Sequence, residues 1–131
     1  MNNPEHLRPN DQRRPVLLIA DDEVVIRNVA QITLERAGYS VLAASDGEEA
    51  LAISRRFPGH IQLLLTDINM PKMDGFKLRE HIIQERPGTF VLLMSGQVNP
   101  GAEFHFLPKP FTPAVLVQAV GRSLCRRAAG G

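Results

Sequence analysis

The chain has 131 residues, of which 44% are hydrophobic, so it can bury one core but leaves no room for a second folded domain. Lys and Arg total 15 against 14 Asp and Glu, which excludes a strong overall field that would draw the chain to nucleic acid or membrane. A single cysteine, Cys125, excludes an internal disulfide, and no apolar run resembles a membrane span or a signal peptide. We therefore expect a cytoplasmic protein whose partners bind at local sites.

The two ends of the chain differ from its middle. The leader MNNPEHLRPNDQRR is polar and has no hydrophobic period, so we expect residues 1–14 to be disordered. The last residues offer nothing to pack, and we expect a flexible tail over 127–131. The candidate domain therefore spans residues 15–126, and we expect no separate DNA-binding effector domain in a chain of this length.

In the first half of this domain, short apolar runs alternate with amphipathic segments. VLLIA predicts a first strand, and apolar residues at helical spacing then continue until Gly38, which is typical of a helix C-terminus. SVLAA predicts a second strand. Asp46, with Glu49 three residues later, forms a capping arrangement that predicts the start of a second helix.

The second half continues the alternation. IQLLLTD predicts a third strand, followed by a helix that ends near Glu85. FVLLMS predicts a fourth strand and EFHFL a short fifth strand. Thr112 as N-cap, with Pro113 at the first helical position, predicts the start of a last helix.

Near-continuous apolar strands alternating with amphipathic helices indicate a parallel sheet covered on both faces, which is a doubly wound α/β fold. In such sheets ligands bind beyond the carboxyl ends of the strands, so the residues that end each strand are the candidates for a site. They are Asp21 and Asp22 after the first strand, Asp67 after the third, Ser95 after the fourth and Lys109 beyond the fifth.

These residue types indicate metal-assisted phosphoryl chemistry. Three carboxylates at one edge of a sheet repel one another, and partial burial would raise their pKa values. A divalent cation would relieve the repulsion, and a few hard oxygen ligands with room for water and phosphate favour magnesium over calcium. Neither the cysteine nor the histidines have the spacing of zinc ligands. With the cation bound, one carboxylate could attack a phosphoryl group, while Ser95 donates a hydrogen bond and Lys109 balances the charge.

The motifs IADDE, LLLTDINMPKMDG, LLMSG and LPKPF occur in order at these strand ends. With them, the chain resembles the receiver domain of two-component response regulators over about residues 15–126. The resemblance implies a flavodoxin-like five-stranded parallel sheet in the order 2-1-3-4-5. It also implies that Asp67 accepts a phosphoryl group from a phosphohistidine on a sensor histidine kinase or histidine phosphotransfer protein, in a magnesium-dependent reaction.

The same resemblance implies a ligand set for Mg²⁺. Asp22 and Asp67 would bind the ion directly, Asp21 mostly through water, and Asn69 through its backbone carbonyl. Considered singly, an aspartate after a strand is commonly a helix cap or a turn residue, and Asn69 can be a turn residue as well. The assignment depends on the whole set of residues.

Three further expectations follow from the resemblance. Ser95 and Lys109 would bind the phosphoryl oxygens, and the peptide bond before Pro110 would be cis. Phe106 falls at the position of the family's aromatic switch residue, although a core aromatic is an equally good interpretation of its pattern. Ser95 alone could be an ordinary serine at a strand end.

One connection departs from the family pattern. Eight residues, GQVNPGAE, separate Ser95 from Phe104, whereas a parallel crossover normally takes a dozen or more and includes a helix. We therefore expect the family's fourth helix to be shortened or absent. The uncovered face of the fourth strand, fifth strand and last helix would then be buried in a homodimer or by a partner protein, or the shortened loop would fold over the gap.

Other function classes stay open at this point. A degenerate receiver would act by protein binding alone. A magnesium-dependent phosphatase with an aspartate nucleophile uses similar chemistry, but the dehalogenase-like kind carries its nucleophile after the first strand with a second aspartate two residues on. A flavodoxin-like cofactor binder is disfavoured because no glycine-rich phosphate loop follows the first strand.

Overall fold

The computed structural model describes residues 14–128. The predicted leader, apart from Arg14, and the last three residues lie outside this range. The elements are β1 (Val16–Ala20), α1 (Val24–Arg36), β2 (Ser40–Ala44), α2 (Gly47–Arg56), β3 (Leu63–Asp67), α3 (Gly75–Glu85), β4 (Phe90–Ser95), β5 (Phe106–Pro108) and α4 (Pro113–Ala128). None of the helices within residues 14–128 combines the length and apolar character that a bilayer crossing requires.

The five strands form one parallel sheet in the order β2-β1-β3-β4-β5, which confirms the predicted doubly wound fold. Successive side chains of the central strands point to opposite faces of the sheet and contribute to two hydrophobic clusters, one on each face. Leu18 and Leu64 pack with α2 and α3, whereas Leu17 and Leu65 pack with α1 and α4. Because both faces are covered, every residue of β1 and β3 is buried, and this is why β1 and the first three residues of β3 are all apolar.

Side-chain N-caps are present at the start of α2 and α4, as the sequence predicts. Asp46 Oδ1 accepts a hydrogen bond from the backbone N–H of Glu49 at 2.8 Å, and Glu49 Oε1 accepts one from the N–H of Ser45 at 2.6 Å. The pair resembles a capping box, except that Glu49 accepts from Ser45, one residue before the N-cap Asp46. Thr112 Oγ1 accepts from the N–H of Val115 at 3.1 Å and caps α4.

In the described part of the chain, no helix lies between β4 and β5, and the fourth helix in chain order, α4, follows β5. The β4–β5 connection (residues 96–105) turns back on itself, with the N–H of Phe104 donating to the carbonyl of Gly101 at 3.2 Å. The Phe104 ring meets Phe76 of α3 edge-on with ring centroids 5.3 Å apart, and the Arg79 guanidinium lies 5.0 Å from its centroid. The shortened loop therefore folds over part of the gap, which is one of the two arrangements that we anticipated.

Two predicted boundaries are wrong. We placed the fifth strand over EFHFL, but the first three residues of that run precede β5, which covers Phe106–Pro108. They leave the strand direction because Phe104 packs against α3. We also assigned Arg127 to a flexible tail, whereas α4 continues to Ala128 and the Arg127 Nε donates to the carbonyl of Gly88 at 2.9 Å.

Candidate functional site

The carboxyl edge of the sheet brings three predicted acidic residues together. One carboxylate oxygen from each of Asp21, Asp22 and Asp67 lies within 4.8 Å of the other two. Asp21 is fully buried and Asp67 is 6% exposed, whereas Asp22 faces solvent. Within residues 14–128 this is the one group of three or more acidic, histidine or cysteine side chains arranged to hold a metal ion.

Backbone contacts hold Asp21 in place. Its N–H donates to the carbonyl of Ala44 at 3.1 Å, and its Oδ1 accepts from the N–H of Glu23 at 2.9 Å. Its own carbonyl accepts from the Arg27 Nη1 at 2.8 Å. Sequence reasoning missed Arg27, because nothing in the spacing of a surface arginine on α1 indicates that it contacts the end of β1.

Lys109 connects the acidic residues from the other side of the site. Its ammonium lies 2.8 Å from Asp21 Oδ2, 3.1 Å from Glu23 Oε1 and 3.4 Å from Asp67 Oδ2. We had not predicted the contact with Glu23. Burial opposes the ammonium charge, but the hydrogen bond and the charge of Asp21, together with the charge of Asp67, outweigh it and raise the pKa of Lys109. Lys109 is therefore a fixed cation at neutral pH.

The negative charge of Asp67 is only partly stabilised by its surroundings. Burial raises the pKa of Asp67, and the nearby Asp21 carboxylate raises it further. The Lys109 ammonium and the backbone N–H of Asn69 act in the opposite direction but do not cancel these effects. A bound cation would stabilise the ionised form of a carboxylate in this position, because it would offset the free energy cost of the buried charge.

This imbalance predicts a pH-dependent stability. Because the pKa of Asp67 is higher in the folded than in the unfolded chain, ionisation of Asp67 destabilises the fold, and stability is lost as pH rises through the carboxyl range. With divalent cations removed by EDTA, we expect Asp67→Asn to be more stable than wild type at neutral pH, by on the order of 1 kcal/mol.

Urea unfolding followed by circular dichroism over pH 3–8 would measure this difference. The advantage of Asp67→Asn should shrink as pH falls, because the wild-type carboxyl then becomes neutral as well. The matched control is Asp22→Asn, which removes an exposed carboxylate of the same cluster and should change stability little. An Asp67→Asn chain less stable than wild type at neutral pH would contradict the argument.

Ser95 ends β4 and is 2% exposed. Its Oγ accepts hydrogen bonds from the N–H groups of Gln97 and Val98 at 3.0 and 2.9 Å, so the side chain shapes the start of the β4–β5 connection. A hydroxyl has one donor and two acceptor positions, and the two acceptor positions take these bonds. The O–H of Ser95 is then the part of the group that can donate to a ligand.

A cleft of about 670 Å³ opens beside Asp67. We call it the acceptor cleft. Its polar lining includes Asp22, Asn69 and Lys109, and its apolar lining comes largely from α1. The Lys109–Pro110 peptide bond at its edge is cis, as expected.

Phe106 is the first residue of β5. It is half-buried and packs against the hydrophobic cluster of the α2 and α3 face, and its backbone pairs with Leu93 of β4. This position agrees with a core aromatic. The switch role stays a prediction.

A five-stranded parallel sheet with an acidic cluster and a lysine at its carboxyl edge defines a class of signalling domain, and the chain matches it over most of its length. Residues 17–121 match the family described as the response regulator receiver domain. The chain belongs to this family, whose members are signalling domains of two-component systems.

Individual relatives support this assignment. The chain is 34% identical over 119 residues to a probable transcriptional regulator, ycf27, of Porphyridium aerugineum, covering 85% of this chain and 48% of that protein. Among solved structures, the Vibrio cholerae chemotaxis protein CheY4 has 29% identity and a TM-score of 0.77, covering 84% of this chain and 98% of its own. A CheY-like receiver domain protein of Methanospirillum hungatei has 28% identity and a TM-score of 0.80, covering 90% of this chain and 99% of its own. The chain spans about half the length of the first of these relatives.

Proposed function

We propose that the chain is a magnesium-dependent phosphoacceptor in which Asp67 receives a phosphoryl group from a phosphohistidine of a partner protein. The observation that carries this proposal is the position of the Asp67 carboxylate, which lies in an open cleft with two other carboxylates on one side and the Lys109 ammonium 3.4 Å away. In the reaction, an Asp67 oxygen forms a bond to phosphorus as the bond from phosphorus to the histidine nitrogen breaks. The electron pair of that bond leaves with the imidazole.

The donor set fits Mg²⁺, because it combines hard oxygen ligands that repel one another when no cation is bound. Asp22 and Asp67 would bind the ion, with Asp21 acting mostly through water and the Asn69 carbonyl completing the protein ligands. Asp21 suits an indirect role, since its two oxygens already accept from Glu23 and Lys109. When bound, the ion would neutralise part of the negative charge on the phosphoryl oxygens.

The chain's own groups do the remaining work. Lys109 would balance the charge of the phosphoryl group, for which its ammonium is already fixed beside Asp67. The Ser95 hydroxyl would donate to a phosphoryl oxygen through the O–H that its bonds from Gln97 and Val98 leave free, so the phosphoryl group would be linked to the start of the β4–β5 connection. A signal could then pass along the β4–β5 connection to Phe106, the proposed switch residue.

The surface beside the acceptor cleft supports a protein donor. Val25, Val29 and Ile32 of α1 are 73%, 46% and 51% exposed, at helical spacing. Val25 and Val29 also line the acceptor cleft itself. An exposed apolar stripe next to a reactive carboxylate is the kind of surface that a protein partner buries. We infer that the partner is a sensor histidine kinase or a histidine phosphotransfer protein and that the exchange takes place in the cytoplasm.

Intact mass measurement tests the acceptor directly. We expect one phosphoryl addition when the wild-type chain is incubated with Mg²⁺ and either acetyl phosphate or phosphoramidate, whose P–N bond imitates phosphohistidine. Asp67→Asn should gain none, and omission of Mg²⁺ in the presence of EDTA should reduce the wild-type addition at least tenfold.

The matched control is Asp74→Asn, which alters an exposed aspartate that caps α3 through the N–H of Lys77. It should be phosphorylated like wild type. Addition to Asp67→Asn would refute Asp67 as the acceptor. No addition to a folded wild-type chain that binds Mg²⁺ would instead support a degenerate receiver that acts by protein binding alone.

A further inference from the structure

Glu23 lies at the start of α1 and lines the acceptor cleft. It occupies the N-cap position, where Ser, Thr, Asp and Asn are preferred because their short side chains accept from the first N–H groups of the helix. Within residues 14–128 the Glu23 side chain makes no such capping bond. Its carboxylate instead contacts the Lys109 ammonium at 3.1 Å. The side chain therefore serves Lys109 and does not serve the helix.

Backbone hydrogen bonds fix the place of Glu23 independently of its side chain. Its N–H donates to Asp21 Oδ1 at 2.9 Å, and its carbonyl accepts from the N–H of Arg27 at 2.9 Å. The side chain itself is 59% exposed. The Glu23 carboxylate can therefore exchange Lys109 for water while the backbone at the start of α1 stays in place.

The Lys109 ammonium already has as many partners as it has N–H groups. An ammonium can donate three hydrogen bonds, and three carboxylates surround that of Lys109. They belong to Asp21, Glu23 and Asp67, at 2.8, 3.1 and 3.4 Å. A phosphoryl oxygen would be a fourth acceptor, so one of the present contacts has to lengthen or break when Lys109 binds it.

The surroundings of the three carboxylates decide which contact breaks. Asp21 is fully buried, so its separation from Lys109 would leave a buried charge without its counter-ion. Asp67 is fixed at the end of β3 and is itself the proposed site of the phosphoryl group. Glu23 is exposed, so water can replace Lys109 at its carboxylate at little cost. The contact with Glu23 is therefore the one that gives way most readily.

We propose that Glu23 is a positioning residue that competes with the phosphoryl group for Lys109. In the unphosphorylated chain the Glu23 carboxylate holds the ammonium, and it releases the ammonium to a phosphoryl oxygen when a phosphoryl group binds. The charge of Glu23 also opposes a further anion in the same cleft. This inference rests on the proposed acceptor function and adds to it a residue that lowers the affinity of the cleft for the phosphoryl group.

The probe is beryllofluoride, which imitates a phosphoryl group on a carboxylate, and ¹⁹F NMR at saturating Mg²⁺ measures its dissociation constant. Glu23→Gln keeps the shape of the side chain and removes its charge. We expect this variant to lower the dissociation constant by about two- to fivefold, the range for one exposed ion pair. The gain should shrink as salt is raised, because salt screens exposed charges.

Two further variants separate the contact from charge in general. Glu23→Asp keeps the negative charge and can cap α1, but it is shorter by one methylene and no longer reaches Lys109. It should also bind beryllofluoride more tightly than wild type. The matched control, Glu80→Gln, removes an exposed glutamate that pairs with Lys77 of α3 at 3.6 Å, and it should bind like wild type. Circular dichroism establishes that each variant is folded.

A second readout needs neither metal nor phosphoryl analogue. Proton–nitrogen NMR spectra of the lysine ammonium groups are recorded in EDTA at neutral pH, and the Lys109 signal is assigned by its loss in Lys109→Arg. The Lys109 Nζ resonance should move in Glu23→Gln and in Glu23→Asp. It should stay in place in Glu80→Gln.

The outcomes separate this inference from the acceptor function. Equal or weaker beryllofluoride binding by Glu23→Gln, or wild-type affinity in Glu23→Asp, would overturn the competition and leave the acceptor function in place. An unmoved Lys109 resonance in Glu23→Gln would overturn the contact on which the competition depends. A folded wild-type chain that takes up neither beryllofluoride nor a phosphoryl group from acetyl phosphate would refute the acceptor function and this inference together.

Discussion

Replacing Arg86 with methionine is expected to lower the free energy of unfolding by about 3 kcal/mol or more, since hydrogen bonds from a charged donor are worth roughly 1.5–3 kcal/mol each. Its guanidinium donates to the carbonyls of Ser54, Phe57 and Gly59 at 2.7, 2.8 and 2.8 Å, and to the Ser54 hydroxyl at 2.9 Å. Ser54 lies in the last turn of α2, and Phe57 and Gly59 lie in the loop that leads to β3. The Arg86 side chain at the C-terminal end of α3 therefore holds this whole turn. Burial lowers the pKa of Arg86 without discharging it.

Methionine has a similar length and keeps the apolar contacts of the arginine stem, so Arg86→Met isolates the loss of the guanidinium. Urea unfolding at neutral pH measures the change. Arg86→Lys should recover only a minor part of it, because one ammonium cannot reach four acceptors that suit a planar guanidinium. Arg55→Met is the matched control, since Arg55 forms an exposed ion pair with Glu85 at 2.7 Å and should contribute little.

A loss of under about 1 kcal/mol for Arg86→Met would contradict this account, because that is the average cost of an ordinary point mutation. It would mean that water replaces the guanidinium at all of its acceptors. A loss in Arg55→Met as large as that in Arg86→Met would point instead to a general effect of reduced positive charge.

The second large effect is expected at Gly75, where α3 begins directly against the end of β3. The N–H of Gly75 donates to the carbonyl of Ile68 at 2.8 Å, and a Cβ built at this position overlaps the carbonyl oxygen of Asp67. The same Cβ would lie 2.9 Å from the Cα of Ile68. Because these neighbours are backbone atoms, they cannot move aside as a flexible side chain would. Gly75→Ala is therefore expected to cost about 3 kcal/mol, at the upper end of overpacking effects.

Function should suffer as well as stability. The displaced carbonyl belongs to Asp67, so relief of the overlap moves the proposed acceptor carboxylate relative to Asp21 and Lys109. Because a displacement of about 1 Å can cost on the order of 100-fold in rate, we expect Gly75→Ala to be phosphorylated by acetyl phosphate at least tenfold more slowly. The rate is measured by intact mass at low temperature, where circular dichroism shows the variant to be folded.

Gly121→Ala is the matched control for this substitution. Gly121 lies within α4, and nothing stands within 4 Å of a Cβ added there, so alanine should stabilise the chain by up to about 1 kcal/mol through helix propensity. Its phosphorylation rate should equal that of wild type. A Gly75→Ala chain with wild-type stability and rate would show that β3 and α3 can separate without cost.

Much of the candidate site could be predicted from the sequence because its residues end strands. A run such as VLLIA, or the LLL that begins β3, is typical of a strand with both faces covered, so the pattern alone predicts a parallel sheet. All parallel strands end at the same edge, and this places Asp21, Asp67 and Lys109 together before any distance is known. The eight-residue stretch GQVNPGAE likewise left no room for a helix, by simple counting.

Other contacts were decided only by the tertiary structure. In these, a side chain meets a partner that no periodic pattern in the sequence predicts. Arg86 reaches acceptors 27 to 32 positions away, and Glu23 becomes a further partner of Lys109 across 86 positions. The Ser95 hydroxyl accepts from its own loop, and Phe104 leaves the strand to pack on Phe76. Hydrophobic period and strand order report which face of an element is buried, and therefore where it lies in the layers. They do not report which rotamer a polar side chain adopts or which distant backbone group it meets, because both depend on the packing of the whole chain.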